Sequence, residues 1–159
     1  LDVVRRKTAK LFEAGARLGG LLGGVPPALE EGLAGFGIHL CSAFQVVDDV
    51  LDYSGEAAET GKSLGDDLAE AKPTLPLIRA MAAGSDQERA IVRRAIVEGG
   101  REHFEPVLDA IRRTGSVEYT RAAASSEAEA AQLALRVLPA SESRESLLEL
   151  AAFSVTRSH

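Results

Sequence analysis

The fold of this 159-residue chain is decided by residues 27–52, whose sequence is PALEEGLAGFGIHLCSAFQVVDDVLD. The proline pair Pro26-Pro27 marks the start of a helix, because proline is favoured in the first helical turn. Apolar residues then dominate as far as Val47, and three aspartates end the stretch. The pattern predicts a long helix that is buried on most of its sides and carries carboxylates at its C-terminal end.

Helical patterns continue on both sides of this segment, and no alternating strand pattern interrupts them. Over residues 2–22, apolar side chains recur at close to the helical period. Ser85 and Glu88 have the spacing of a capping box, and Ser141 is a second candidate cap. The fold class is therefore all-α, a helical bundle around a central cavity. The other predicted helices cover residues 75–83, 85–98, 104–114, 117–138 and 143–157.

Composition and charge exclude several classes of protein. Hydrophobic residues make up 45% of the chain and charged residues 26%, which is enough apolar side chain to bury a core. Lys and Arg number 18 against 24 Asp and Glu, and the net charge of -6 argues against nucleic-acid binding. The single cysteine, Cys41, excludes an internal disulfide, and a cytoplasmic setting is the default. The longest uncharged run, 32–47, is too short and too polar for a membrane span.

Three aspartates share one face of the predicted helix over 27–52. Asp48, Asp49 and Asp52 follow Gln45 by three, four and seven residues, so the four side chains point to the same side. Like charges at this spacing repel one another, and the negative end of the helix dipole opposes them further. Mg²⁺ prefers carboxylate, water and phosphate oxygens. The pattern predicts a Mg²⁺ site at the three aspartates, and the alternative is a solvated acidic helix end.

Lysine is rare in this chain, and two of its four lysines flank an acidic loop. Lys62 and Lys72 stand on either side of Asp66-Asp67. A lysine is a compact point charge that binds phosphate. A diphosphate could bridge a metal held by carboxylates and these two ammonium groups. The combination indicates a diphosphate ligand, although either lysine taken alone is better explained as the solvated surface of a polar loop.

Three motifs carry a resemblance to a known family. They are Lys7-Thr8-Ala9, the segment 44–52 (FQVVDDVLD) and the segment 61–76 (GKSLGDDLAEAKPTLP), in matching order and spacing. With these motifs the chain resembles the C-terminal half of a trans-isoprenyl diphosphate synthase, of the polyprenyl synthetase family. The resemblance covers residues 1–159 as the C-terminal part of a single synthase domain, and its specificity lies in the first 76 residues.

The resemblance implies a prenyltransferase that condenses an allylic diphosphate with isopentenyl diphosphate. Mg²⁺ would assist ionisation to an allylic cation, which the isopentenyl double bond attacks while diphosphate is released. The resemblance assigns Asp48, Asp49 and Asp52 to the metal, with Asp48 the foremost ligand. It gives Lys7 and Lys62 a part in catalysis, and it implies a homodimer. The residues implied in substrate binding are Lys7, Thr8, Gln45, Lys62 and Lys72.

Part of the family pattern is not found in these residues. The sequence has no second D-D-x-x-D motif, and it opens without methionine inside a predicted helix. We therefore expect the chain to come from the interior of a longer polypeptide and to be inactive alone. Its apolar cavity wall would then be covered by a missing N-terminal half or by a second copy. Two other functions stay open: a non-catalytic or regulatory diphosphate-binding subunit that pairs with a catalytic prenyltransferase, and, less favoured, a terpene cyclase.

Two further residues of the 27–52 segment have structural interpretations. Phe44 either lines a prenyl cavity or, as the favoured interpretation, fills the core. His39 has no ligand partner at a useful spacing in the sequence, which predicts a structural role.

Overall fold

The computed structural model describes residues 2–54 and 65–157, and these residues are helical apart from short connections. No strand occurs within these two ranges, which confirms the all-α prediction. In chain order the elements are α1 (Asp2–Val4), a π-helical turn (Arg5–Ala9), α2 (Lys10–Leu22), α3 (Pro27–Ser54), α4 (Asp66–Ala69), α5 (Leu75–Ala83), α6 (Asp86–Glu98), a 3₁₀ turn (Arg101–His103), α7 (Phe104–Arg113), α8 (Ser116–Ala134), a 3₁₀ turn (Leu135–Val137) and α9 (Glu142–Thr156).

The helix boundaries follow local capping signals. The Ser85 hydroxyl accepts the backbone N–H of Glu88 at 3.3 Å, and the Glu88 carboxylate accepts the backbone N–H of Ser85 at 2.7 Å. Ser141 caps α9 by accepting the N–H of Arg144 at 3.2 Å. Both predicted caps are therefore confirmed. The predicted helix over 2–22 is confirmed, and a π-helical turn at Arg5–Ala9 interrupts its α-helical geometry.

The chain packs as two compact units. The first contains the residues up to Gln45 together with Ala123–Arg157, and the second contains Val46–Ala122. The divisions fall inside α3 and inside α8. Each unit has its own hydrophobic core.

In the first unit, α3 packs against the end of α8, the 3₁₀ turn after it, and α9. The buried core residues are Phe36, Leu40, Ala131, Leu135 and Ala151. Within the same unit α2 crosses α3 closely, since a Cβ on Gly37 would lie 2.5 Å from the carbonyl oxygen of Phe12. The core position favoured for Phe44 is wrong. This side chain is 44% exposed, and the guanidinium of Arg157 lies 3.6 Å above the centre of its ring.

In the second unit, the end of α3 packs with α4 to α7. The buried core residues are Tyr53, Leu68, Leu77, Ala80, Val92, Ala95, Val107, Leu108, Ala110 and Ile111. The rings of Tyr53 and Phe104 stack with their centroids 6.4 Å apart. Gly65 lies on Phe104 with φ +78°, where a Cβ would come within 2.3 Å of that ring. Only glycine fits this position, and it begins the segment that returns to α3.

Where the structure describes the chain, no helix is both long and apolar enough to cross a bilayer.

Candidate functional site

Asp49, on the last turns of α3, provides a cap for helix α5. Its Oδ2 accepts the backbone N–H of Leu75, the first residue of α5, at 3.1 Å. The first N–H groups of a helix have no partner within the helix and need an acceptor. Thr74 occupies the N-cap position but makes no capping hydrogen bond, and Pro76 has no N–H. The carboxylate of a different helix therefore satisfies the start of α5.

Asp52 does the same for α4. Its Oδ1 accepts the N–H of Asp66 at 3.1 Å, and its Oδ2 accepts the N–H of Asp67 at 3.3 Å. The N-cap residue of α4 is Gly65, which has no side chain to cap with, and its own N–H donates to the carbonyl oxygen of Asp52 at 3.2 Å. Asp49 and Asp52 together attach both ends of residues 65–75 to α3.

This attachment concentrates desolvated carboxylates in one place. Burial raises the pKa of Asp49 to about 6; the nearby carboxylates of Asp67, Asp48 and Asp52 add to the rise, and the Leu75 N–H opposes it. Burial likewise raises the pKa of Asp52 to about 6, and Asp67 is the largest charge contribution. Charge that is both desolvated and crowded favours binding of either a proton or a cation. The cluster of carboxylates around Asp49 and Asp52 is therefore a favourable place for a positive charge.

Lys72 brings an ammonium group to the same segment. Its Nζ lies 2.6 Å from the carboxylate of Glu70 and 3.1 Å from that of Asp67. These two hydrogen bonds, Glu70 first, hold the pKa of Lys72 above its usual value, so the group stays charged. The side chain is 54% exposed, which leaves it accessible to a dissolved anion.

The assignment of a metal to the acidic motif stays a prediction. Across 2–54 and 65–157, no three His, Cys, Asp or Glu side chains are arranged to hold a metal ion. In this structure the carboxylates of Asp49 and Asp52 accept backbone N–H groups. The donor chemistry still fits a hard divalent cation, because carboxylate oxygens are its preferred protein ligands. The half-buried side chain of Asp48 lies on the same helix turn.

The first unit contains three of the predicted substrate-binding residues. Lys7 is exposed and Thr8 is half-buried, and both belong to the π-helical turn. The amide of Gln45 donates to Sγ of Cys41 at 3.1 Å, one turn earlier on α3. Lys62, predicted to take part in catalysis and binding, lies outside the described residues. Of the predicted site residues, the structure thus brings together Asp49, Asp52 and Lys72, all of which contact residues 65–75.

Sequence reasoning missed the role of Asp66 and Asp67 in this cluster. The sequence places them between Lys62 and Lys72, but it does not indicate that they return to Asp52. A signal was available in Gly65, because a glycine followed by two acidic residues suits a turn of positive φ that opens a helix.

Solved structures with the same fold define the class of this protein. The chain is similar to a polyprenyl synthase from Caulobacter crescentus CB15, solved with calcium and isoprenyl diphosphate: TM-score 0.89, 38% identity, covering 99% of this chain and 48% of that one. A decaprenyl diphosphate synthase from Rhodobacter capsulatus gives a TM-score of 0.84 and 37% identity, covering 98% of this chain and 48% of that one. The fold is that of the all-α isoprenoid synthases.

Sequence comparison gives the family. The polyprenyl synthetase family model matches residues 1–111. The octaprenyl diphosphate synthase of Escherichia coli (strain K12) is 47% identical over 158 residues, which cover 99% of this chain and 49% of that protein. This chain belongs to the polyprenyl synthetase family. It spans about half the length of the curated relatives it matches.

Proposed function

We propose that this chain is part of a prenyltransferase that condenses an allylic diphosphate with isopentenyl diphosphate. The observation that carries the proposal is the cluster of desolvated carboxylates around Asp49 and Asp52, attached to the segment that bears Lys72. Membership of the polyprenyl synthetase family supports it, as do relatives named octaprenyl and decaprenyl diphosphate synthase.

The residues of this chain suit the first step of that reaction. When the allylic carbon–oxygen bond breaks, the diphosphate leaves with the electron pair and gains negative charge. Positive groups placed where this charge develops lower the barrier. We assign diphosphate binding to Lys72 and, from the family motifs, to Lys7, Thr8, Gln45 and Lys62. The isopentenyl double bond then attacks the allylic cation, and a proton is lost from the product.

A divalent cation, which we propose to be Mg²⁺, is assigned to Asp48, Asp49 and Asp52. When bound, it would supply electrophilic stabilisation of the departing diphosphate. The raised pKa values of Asp49 and Asp52 support the assignment, because both groups lie where a positive charge is favoured. The Caulobacter crescentus relative was solved with calcium and isoprenyl diphosphate, which supports a divalent ion and a diphosphate as ligands.

We propose that residues 1–159 belong to one synthase domain. The first packing unit gives way to the second after Gln45, and the family model matches residues 1–111 on both sides of that point. This continuity supports a single evolutionary unit. Exposed apolar side chains on α2, such as Leu22 at 89% exposure, support a partner surface. That partner is the other half of the synthase or a second copy in a homodimer. We also propose the cytoplasm as the location, the default setting for a chain without a disulfide framework.

A non-catalytic diphosphate-binding subunit is the second candidate. The observation in its favour is that Asp49 and Asp52 already serve as helix caps in this chain, so the acidic motif has a structural role that does not require catalysis. The two functions differ in whether isopentenyl diphosphate is consumed. We expect the 159-residue chain alone to show no condensation. Condensation by that chain alone would contradict the proposal that it carries only part of the active site.

The test is incorporation of labelled isopentenyl diphosphate into longer products. The natural protein is incubated with an allylic diphosphate and Mg²⁺, and the products are separated by chain length. We expect incorporation that stops when EDTA is added and resumes with excess Mg²⁺. A folded natural protein that binds both diphosphates without forming a new carbon–carbon bond would favour the binding subunit instead.

A further inference from the structure

A buried carboxylate in the first unit lies outside the acidic motif. Glu127, on α8, has only 8% of its side chain exposed. Its Oε1 accepts a hydrogen bond from Nη2 of Arg5 at 2.7 Å, and its Oε2 lies 2.7 Å from Nδ1 of His39. The three residues, here named the Glu127 network, connect the N-terminal helical segment, α3 and α8 within one unit.

The pairing fixes the position of the Arg5 guanidinium. A buried carboxylate is costly unless it is both paired and hydrogen-bonded. Hydrogen bonds to charged groups are stronger than neutral ones, and the two oxygens of Glu127 are used by different partners. Arg5 lies 122 residues away in sequence, so this contact attaches the start of the chain to α8.

Arg5 is also the first residue of the π-helical turn. The backbone N–H of Lys10 donates to the carbonyl oxygen of Arg5, five residues earlier, and closes the turn. The turn contains Lys7 and Thr8. One π turn within a helix changes the direction of the side chains around it, and such turns occur frequently at functional sites.

We infer that Glu127 is a positioning residue. By holding Arg5, it keeps the π-helical turn in the conformation that presents Lys7 and Thr8 to a diphosphate. Glu127 does not itself touch the ligand. The inference rests on the proposed function, because it takes Lys7 to be a diphosphate-binding residue.

The test uses the natural protein with inorganic diphosphate and Mg²⁺ as the probe. Glu127→Gln keeps the size of the side chain and removes the charge that holds Arg5. We expect the affinity for the probe to fall, and the KM for the allylic diphosphate to rise, by about tenfold while kcat changes less. Glu129→Gln, an exposed glutamate on the same helix, is the matched control and should leave both values unchanged.

A double-mutant cycle with Lys7→Ala separates positioning from a general loss of stability. If Glu127 acts through Lys7, Glu127→Gln should weaken binding less than about twofold further in the Lys7→Ala background. Full additivity of the two effects would overturn the inference. If Glu127→Gln does not fold, Arg5→Lys makes the same test from the more exposed partner, because lysine keeps the charge but not the planar geometry.

The outcomes distinguish the proposed role of Lys7 from that of Glu127. If Lys7→Ala binds the probe as tightly as the natural protein, the proposed role of Lys7 fails, and this inference fails with it. If Lys7→Ala weakens binding while Glu127→Gln has no effect, only the inference about Glu127 is overturned. The inference about Glu127 is supported if both single variants weaken binding and Glu127→Gln has no further effect in the Lys7→Ala background.

Discussion

Oδ2 of Asp49 accepts the backbone N–H of Leu75 at 3.1 Å across 26 residues of sequence. A residue that the sequence assigns to metal binding thus also provides the N-terminal cap of α5. Because the Asp49 carboxylate itself accepts the Leu75 N–H, the charge at Asp49 and the position of the Lys72 segment are physically linked. The link gives the acidic motif a structural role that can be measured without following activity.

Replacing Asp49 should loosen the start of α5. We expect Asp49→Ala to lower the free energy of unfolding by about 1 kcal/mol, as for other lost caps. Hydrogen exchange of the Leu75 amide should become faster at the same time. Asp49→Asn keeps an acceptor oxygen and should retain most of the protection. Urea unfolding and hydrogen exchange measured by mass spectrometry are the readouts, and equal losses in the two variants would contradict a capping role.

Stability without divalent cation should fall as the pH rises through the acidic range. Asp49 and Asp52 have native pKa values of about 6, above the usual value of 3.8. Between these two values the native state holds more protons than the unfolded chain, so the free energy of unfolding decreases with increasing pH. Urea unfolding over a pH series in EDTA measures this slope. Asp49→Asn and Asp52→Asn should reduce it, whereas the exposed Asp109→Asn should not.

The proposed cation site makes a separate prediction for Asp48. We expect Asp48→Asn in the natural protein to lower the condensation rate by about a hundredfold at limiting Mg²⁺, because a charged ligand is lost. Raising the Mg²⁺ concentration should recover part of the rate. Initial rates over a Mg²⁺ titration give the result. An unchanged Mg²⁺ dependence would remove Asp48 from the proposed site.

Lys72 is expected to act on the diphosphate through its charge. Lys72→Ala should raise the KM for the allylic diphosphate by about tenfold, since a charge-assisted hydrogen bond to phosphate is lost. The control is Lys10→Ala, which removes an exposed lysine paired with Glu13 at 2.6 Å. Similar KM values for the two variants would show that Lys72 serves only its ion pairs with Glu70 and Asp67.

The predictable part of the fold is the part that depends on local sequence. The capping box of Ser85 and Glu88 was predicted because both partners lie within one helical turn. The π-helical turn at Arg5–Ala9 was not predicted, because the apolar spacing of this stretch also suits a plain α-helix. The exposure of Phe44 was missed for a different reason: the apolar pattern of α3 does not show which side of the helix lacks a neighbour.

The candidate site likewise has features that follow from the sequence and features that depend on tertiary contacts. The sequence by itself determined the helical class, the family motifs and the carboxylates that share one face of α3, because each depends on residue type and on spacing within one element. Only the tertiary structure decided that Asp49 caps α5, that Asp52 caps α4 and that Glu127 holds Arg5. These contacts join residues far apart in sequence, and a buried carboxylate takes whichever donors the packing brings to it.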